Sequence, residues 1–168
     1  MPRFVPITGA VTGATLYVEN QLKARDCTIN LPDINPMTVD VQATGTLTMP
    51  IWELLENLEM SFVKIGVDLG FKDSLRPGVS SVEARFTQTQ TDANGKNKTI
   101  MCKAFCTGMT SSIPGISVEV GSASENEIPF YLTRYLLFID GKEAILVDKL
   151  AGIVRINGVN YTDGLAGL

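Results

Sequence analysis

The sequence contains no histidine. That absence excludes a Ser–His–Asp or Cys–His nucleophile pair, an HExxH zinc site and an imidazole proton shuttle. Aromatic residues are scarce at 7%, and 19% charge is too little for a disordered acidic chain. No apolar run approaches the roughly 20 residues a membrane helix needs; the strongest is Leu136-Leu137-Phe138-Ile139. Basic residues number 14 against 18 acidic ones and are dispersed, Lys23 with Arg25 and Lys96 with Lys98, without an aromatic platform between them. A net charge of −4 argues against a phosphate-neutralising nucleic-acid binder, which needs a basic footprint.

Cysteine is sparse and odd in number: Cys27, Cys102 and Cys106. Small secreted domains carry denser, even sets. Without His or a second Cys pair, Cys102 and Cys106 cannot complete a structural zinc site. On a strand they share one face two pleats apart, too far for an unstrained bridge. Two readings follow: buried small apolar residues, or a bridge between subunits of an assembly outside the cell.

Other chemistry is thin. Glu53, Glu56 and Glu59 fall at helical spacing and read as a solvated face, and Glu125 with Glu127 are a second carboxylate pair. Asp26, Asp33 and Asp40 lack the spacing of a calcium loop. Gly9-Ala10-Val11-Thr12-Gly13 lacks the Lys and glycine pattern of a phosphate loop, and Gly-x-Ser-x-Gly is absent. Cys27 has no visible base. The sequence predicts no catalytic, metal or cofactor site.

What is present is alternation. With 168 residues, 45% of them apolar, the chain reads as a single domain, residues 1–168, with a real core. Val39, Val41 and Ala43 alternate with Thr38, Asp40 and Gln42; Leu58, Met60 and Phe62 with Glu59 and Ser61; Val82, Ala84 and Phe86 with Glu83 and Arg85; Ile116, Val118 and Val120 with Ser117 and Glu119. Period two and β-branched residues predict strands with two unlike faces. Asn94-Gly95, Asp140-Gly141 and Asn157-Gly158 predict tight hairpins, and Glu19-Asn20 is a fainter relative. Residues 51–58 fit helix or strand; a short helix is expected at about 66–75, closed by Arg76-Pro77-Gly78. The uncharged stretch Phe4 to Val18 reads as an N-terminal arm, about residues 1–13, leading into a strand, in a chain made in the cytoplasm. Thr87-Gln88-Thr89-Gln90-Thr91 reads as a solvated strand end or as a polar surface lining water or a groove. Mean hydropathy of +0.16 is raised for a soluble monomer with few aromatics and points to large protein contacts.

The C-terminal residues carry a signature: Tyr131-Leu132-Thr133-Arg134-Tyr135-Leu136-Leu137-Phe138-Ile139-Asp140-Gly141-Lys142-Glu143, then Val147-Asp148, then Val154-Arg155-Ile156-Asn157-Gly158-Val159-Asn160, and a Gly- and Leu-rich ending from Asp163 to Leu168. This text resembles the C-terminal hairpin of the major tail tube proteins of contractile-tailed bacteriophages and R-type pyocins. The N-terminal half is similar in layout, with a strand at Thr15 to Glu19, Asn30-Leu31-Pro32 closing a second, and a long hairpin near 36–65. Residues 66–125 match in order of elements only, and the cysteines are not part of the family pattern.

The resemblance implies a mainly β fold, an antiparallel β-barrel or sandwich with one short α-helix and a long protruding β-hairpin, with C-terminal hairpins at about 129–161. It implies a structural subunit, without cofactor or membrane insertion, made in the host bacterial cytoplasm and located in the virion tail. Six copies would form a ring and rings would stack into a tube, bounded by sheath, baseplate and tail-terminator proteins, with duplex DNA or ions passing without specific binding. On that frame Thr38, Asp40, Gln42, Glu59 and Ser61 are the expected lumen lining. Val39, Val41, Leu58, Met60 and Phe62 are expected to pack on the subunit's own body. Thr46, Leu47, Met49, Trp52 and Leu168 are the expected contacts between subunits or rings, Trp52 being either an interface anchor or a core residue. The alternatives are a type VI secretion-like tube protein and a monomeric β-barrel that binds a ligand or glycan.

Overall fold

The computed structural model describes residues 6–163. In chain order these form β1 (Ile7–Val18), β2 (Gln21–Arg25), β3 (Thr28–Asn30), β4 (Pro36–Ala43), β5 (Gly45–Leu55), β6 (Leu58–Ile65), α1 (Leu69–Ser74), β7 (Val79–Thr91), β8 (Asn97–Thr110), β9 (Glu125–Ile139), β10 (Lys142–Asp148), β11 (Ile153–Ile156) and β12 (Val159–Asn160). The main sheet runs β12-β11-β10-β9-β8-β7-β1-β2, with β6 and β3 branching from β9; β4 and β5 form a separate sheet of two. Every ladder is antiparallel.

The branch makes the sandwich. One edge of β9 carries β8, while its other edge pairs first with β6 (Glu125–Leu132) and then with β10 (Arg134–Ile139). The β6 arm buries Leu58, Met60 and Phe62, and the β1–β2 arm buries Leu16, Val18 and Ala24, all in one core with Val82, Ala104, Phe130 and Val147. The two arms therefore fold over a shared interior, where Phe62 and Phe130 stack at 5.9 Å. Alternation explains each contribution, because period two sends every second side chain inward.

One bulge interrupts that rule. Between Gly108, which faces Leu132, and Thr107, which faces Arg134, β9 carries the extra residue Thr133. The buried parity changes there, from Ile128, Phe130 and Leu132 to Tyr135. Thr133 Oγ1 donates to the Thr107 carbonyl at 3.2 Å and closes the bulge. Gly108 has no room for a side chain, since an added Cβ would strike the Tyr131 carbonyl and Leu132.

Several sequence expectations are corrected. The 36–65 segment is not one hairpin: the ribbon ends at Leu55, and β6 belongs to the main sheet. Residues 51–55 are strand, because Ile51 pairs across to Met37 and Leu55 to Pro36, so ladder partners override the helical spacing. The helix is shorter than 66–75; Asp68 caps it by accepting from Phe71 N, and the chain leaves it at Leu75. From Ile7 the expected arm is already strand, paired to β7 through two register shifts. That pairing makes Thr87–Thr91 the middle of a three-stranded ribbon, between β1 and β8. Asn94-Gly95 lies in a five-residue loop between the paired Thr91 and Asn97, organised by Asp92, whose carboxylate accepts from the backbone N–H of Asn94 and Lys96. The expected strand at Ile116–Val120 has no ladder partner among the described residues and stays irregular. Asp140-Gly141, Asn157-Gly158 and Glu19-Asn20 do turn as two-residue hairpins, each pair with both φ angles positive.

Candidate functional site

The β4–β5 ribbon is the feature that a monomer does not explain. It stands off the main sheet with both of its edges unpaired among the described residues, and a lone two-stranded ribbon is marginal in water. Cross-strand register sorts its side chains. Met37 with Ile51, Val39 with Met49 and Val41 with Leu47 make one face; Thr38 with Pro50, Asp40 with Thr48 and Gln42 with Thr46 make the other. The polar face is knitted by Thr48 Oγ1 donating to Asp40 Oδ1 at 2.7 Å and Gln42 Nε2 donating to Thr46 Oγ1 at 3.4 Å. The apolar face is half open, with Leu47 52% and Val39 47% exposed. The chain reverses at Thr44, between the paired Ala43 and Gly45, whose φ of 118° suits glycine.

Its root is firmly held. Glu56 N donates to the Asn35 carbonyl at 2.9 Å, and Lys149 Nζ donates to the Glu56 carbonyl at 2.6 Å. Trp52 packs beside Tyr161 with ring centroids 6.2 Å apart. Trp52 therefore sits toward the root and not at the tip, and it is half-buried.

The residues expected at the lumen divide into two groups. Thr38, Asp40 and Gln42 share the polar face of the ribbon. Glu59 and Ser61 lie on β6, outside the core, where Ser61 Oγ donates to Glu127 Oε1 at 2.6 Å and Asn30 Nδ2 donates to Ser61 Oγ at 3.1 Å. A cleft at the junction is lined by Asp33, Asn35, Met37, Leu55 and Glu59. Among the expected contacts, Leu47 and Met49 share the apolar face, whereas Thr46 is on the polar one. Leu168 lies outside the described residues. Leu58, Met60 and Phe62 are core, but Val39 and Val41 are exposed, because no second layer covers the ribbon among the described residues.

No group of three or more His, Cys, Asp or Glu among the described residues is placed to hold a metal ion. The cysteines are free thiols: Cys102 and Cys106 are buried and Cys27 is half-buried. Burial raises all three, Cys106 to about 12, which keeps them protonated and poor nucleophiles at neutral pH. No helix among the described residues is long and apolar enough to cross a membrane.

The sequence reading missed two surface features. Met101, Phe105 and Phe138 gather on the outer side of the main sheet, with Phe105 and Phe138 edge to face at 6.1 Å. The 111–124 connection exposes Ile113, Ile116, Val118 and Val120.

The ribbon and the exposed apolar strand faces are surfaces open to contact with other chains, and the sequence comparison says which kind of protein this is. The family of phage tail tube protein FII matches residues 9–165. The chain belongs to that family. It is a structural subunit of a phage tail tube, which self-assembles into the tube and associates with other tail components in the virion. A search of curated proteins found no match.

Proposed function

We propose that this chain builds the inner tube of a contractile tail, in a phage or a phage-like bacteriocin. Six copies close into a ring, and rings stack around a lumen that conducts DNA or ions after the sheath contracts. A sheath protein surrounds the tube, and baseplate and tail-terminator proteins bound its ends. The β4–β5 ribbon carries the reading: one apolar face, one polar face and two open edges. Pairing between copies satisfies such open edges, as closure does within a barrel. The C-terminal residues Tyr131–Glu143 and Val154–Asn160 support the contractile branch, through their resemblance to its tube proteins.

In the ring the polar face with Thr38, Asp40 and Gln42 lines the bore, and Glu59 and Ser61 add a second polar band. Duplex DNA carries one negative charge per roughly 1.7 Å of axis. Six copies at −4 each give a ring of −24. Charge within a Debye length, about 10 Å at 0.1 M salt, repels the duplex and lets it slide.

Two experiments test this. Negative-stain microscopy of the concentrated chain, with a tail-tip initiator if needed, should show hollow tubes of uniform width with six-fold end views; persistent monomers would refute the tube. In reconstituted particles Asp40→Lys with Glu59→Lys should slow DNA ejection at low salt. Unchanged ejection would remove these residues from the bore.

A further inference from the structure

Residues 111–124 link β8 to β9 without strand or helix. Connections of that length are uncommon and are usually functional. This one contains a strand pattern that is unpaired among the described residues. Ile116, Val118 and Val120 alternate with Ser117 and Glu119, yet Val118 is 87% exposed and Val120 wholly so.

Other apolar residues gather at the same end. Gly66 N donates to the Ser124 carbonyl at 2.8 Å, Thr110 Oγ1 donates to the Arg76 carbonyl at 3.0 Å, and Val79 pairs with Met109. These bonds bring exposed Ile65, Val67, Leu69 and Val79 beside the connection. The β4–β5 ribbon is rooted at the opposite end of β6, next to Leu58. Eight strand residues separate the two ends, roughly 25 Å.

We infer that the 116–120 segment is the seat for another copy's ribbon and becomes a β-strand only in the assembled tube. The inference rests on the tube reading above. Two unlike apolar surfaces at opposite ends make a head-to-tail contact, which repeats from copy to copy and extends the assembly; a patch that met itself would stop at a dimer. The receiving edge is β4. Pro50 removes a donor from β5, whereas β4 keeps every backbone N–H from Met37 to Ala43. Added there, the segment supplies a third strand to the ribbon and places its apolar alternates beside Val39 and Val41.

Hydrogen exchange of the full chain, as free subunits and as tubes, tests the pairing. The amides of 116–120 should exchange freely in the subunit and slow by roughly a hundredfold or more in the tube. Val118→Asp should leave the subunit's circular dichroism unchanged and abolish tubes, while Val118→Thr assembles. In a Cys27→Ser background, Val118→Cys with Val41→Cys should cross-link assembled chains into a ladder of multimers. Tubes whose 116–120 amides exchange as fast as in the subunit would overturn the inference and leave the tube standing, as would normal assembly of Val118→Asp. A parent chain that never assembles, even when seeded, refutes both.

Discussion

The buried Lys64 ammonium donates to Asp68 Oδ1 at 2.6 Å and, on its other side, to the Lys23 carbonyl at 2.8 Å. Lys64 sits on the core face of β6, in step with Leu58, Met60 and Phe62, so it would be an unpaired buried charge without these partners. Asp68 is also the cap of α1, accepting from Phe71 N at 2.9 Å. One carboxylate thus joins the end of β6 to the helix, while Lys64 reaches β2.

The Lys64 hydrogen bond, followed by the Phe71 amide, holds the Asp68 carboxyl below the ordinary carboxylate range. A depressed acid stabilises the fold above its unfolded value, about 3.9, and that contribution is lost as pH falls through the lower folded value. Asp68→Asn should therefore lower Tm at pH 7 and cost progressively less as pH falls below the unfolded value toward 2. Lys64→Met, which removes the buried charge as well as the pair, should cost less at pH 7 than Asp68→Asn. Thermal melts of the three proteins at both pH values decide it; equal losses at pH 7 and pH 2 would show that the ion pair contributes nothing.

The bulge at Thr133 gives a second prediction. Gly108→Ala forces a Cβ into the Tyr131 carbonyl and Leu132, and neither backbone can retreat without breaking the ladder. Overpacking of this kind costs about 1–3 kcal/mol. Gly115, where an added Cβ meets nothing, is the control. Urea unfolding should place Gly108→Ala well below the parent and Gly115→Ala close to it.

These residues show what could be read in advance. Alternation revealed β6, β7 and the C-terminal hairpins because both faces of each strand are written locally, and the positive-φ turns have their own residues. It could not reveal what covers an apolar face. Val39 and Leu58 occupy the same kind of pattern, yet one meets solvent and the other the core, since the ladder to β9 sets Leu58 in the main sheet, where it joins the core shared with the β1–β2 arm. Ile116–Val120 failed as a strand for the same reason. The Thr133 bulge concealed itself by shifting parity in the middle of an apolar run, and Lys64 escaped notice because its carboxylate partner is on the next element. The lumen candidates split because Glu59 follows the connection that separates the ribbon from the main sheet.

The β1–β2 turn gives a third prediction. Glu19 and Asn20 both adopt positive φ, 50° and 63°, where the other two-residue hairpins place glycine second. Glu19 has a reason to stay, because its carboxylate accepts from Ser81 N at 2.8 Å. Asn20 has no side-chain bond of that kind among the described residues, so Asn20→Gly should stabilise the subunit by roughly 0.5–1 kcal/mol. Glu19→Gly should gain less or lose stability. Chemical denaturation of both variants tests the assignment, and a loss for Asn20→Gly would contradict it.

Cysteine chemistry gives the last prediction. Cys106 lies opposite Tyr135 in the β8–β9 ladder, and burial drives its thiol to about 12 and the Tyr135 phenol upward as well. Both groups are acids raised in the folded state, so their stabilising contribution is intact below the unfolded thiol value, about 8.5. It declines as pH rises from there toward 12, because the unfolded chain ionises first. Stability measured by urea should accordingly fall between pH 9 and pH 11, and Cys106→Ala should flatten the part of that fall due to the thiol. Native alkylation at pH 8 should modify Cys27 before Cys102 or Cys106, and all three should react after unfolding. A protected pair that survives denaturation without reductant would instead reveal a bridge, and Cys27, the one thiol not fully buried, is where a bridge between subunits would have to begin.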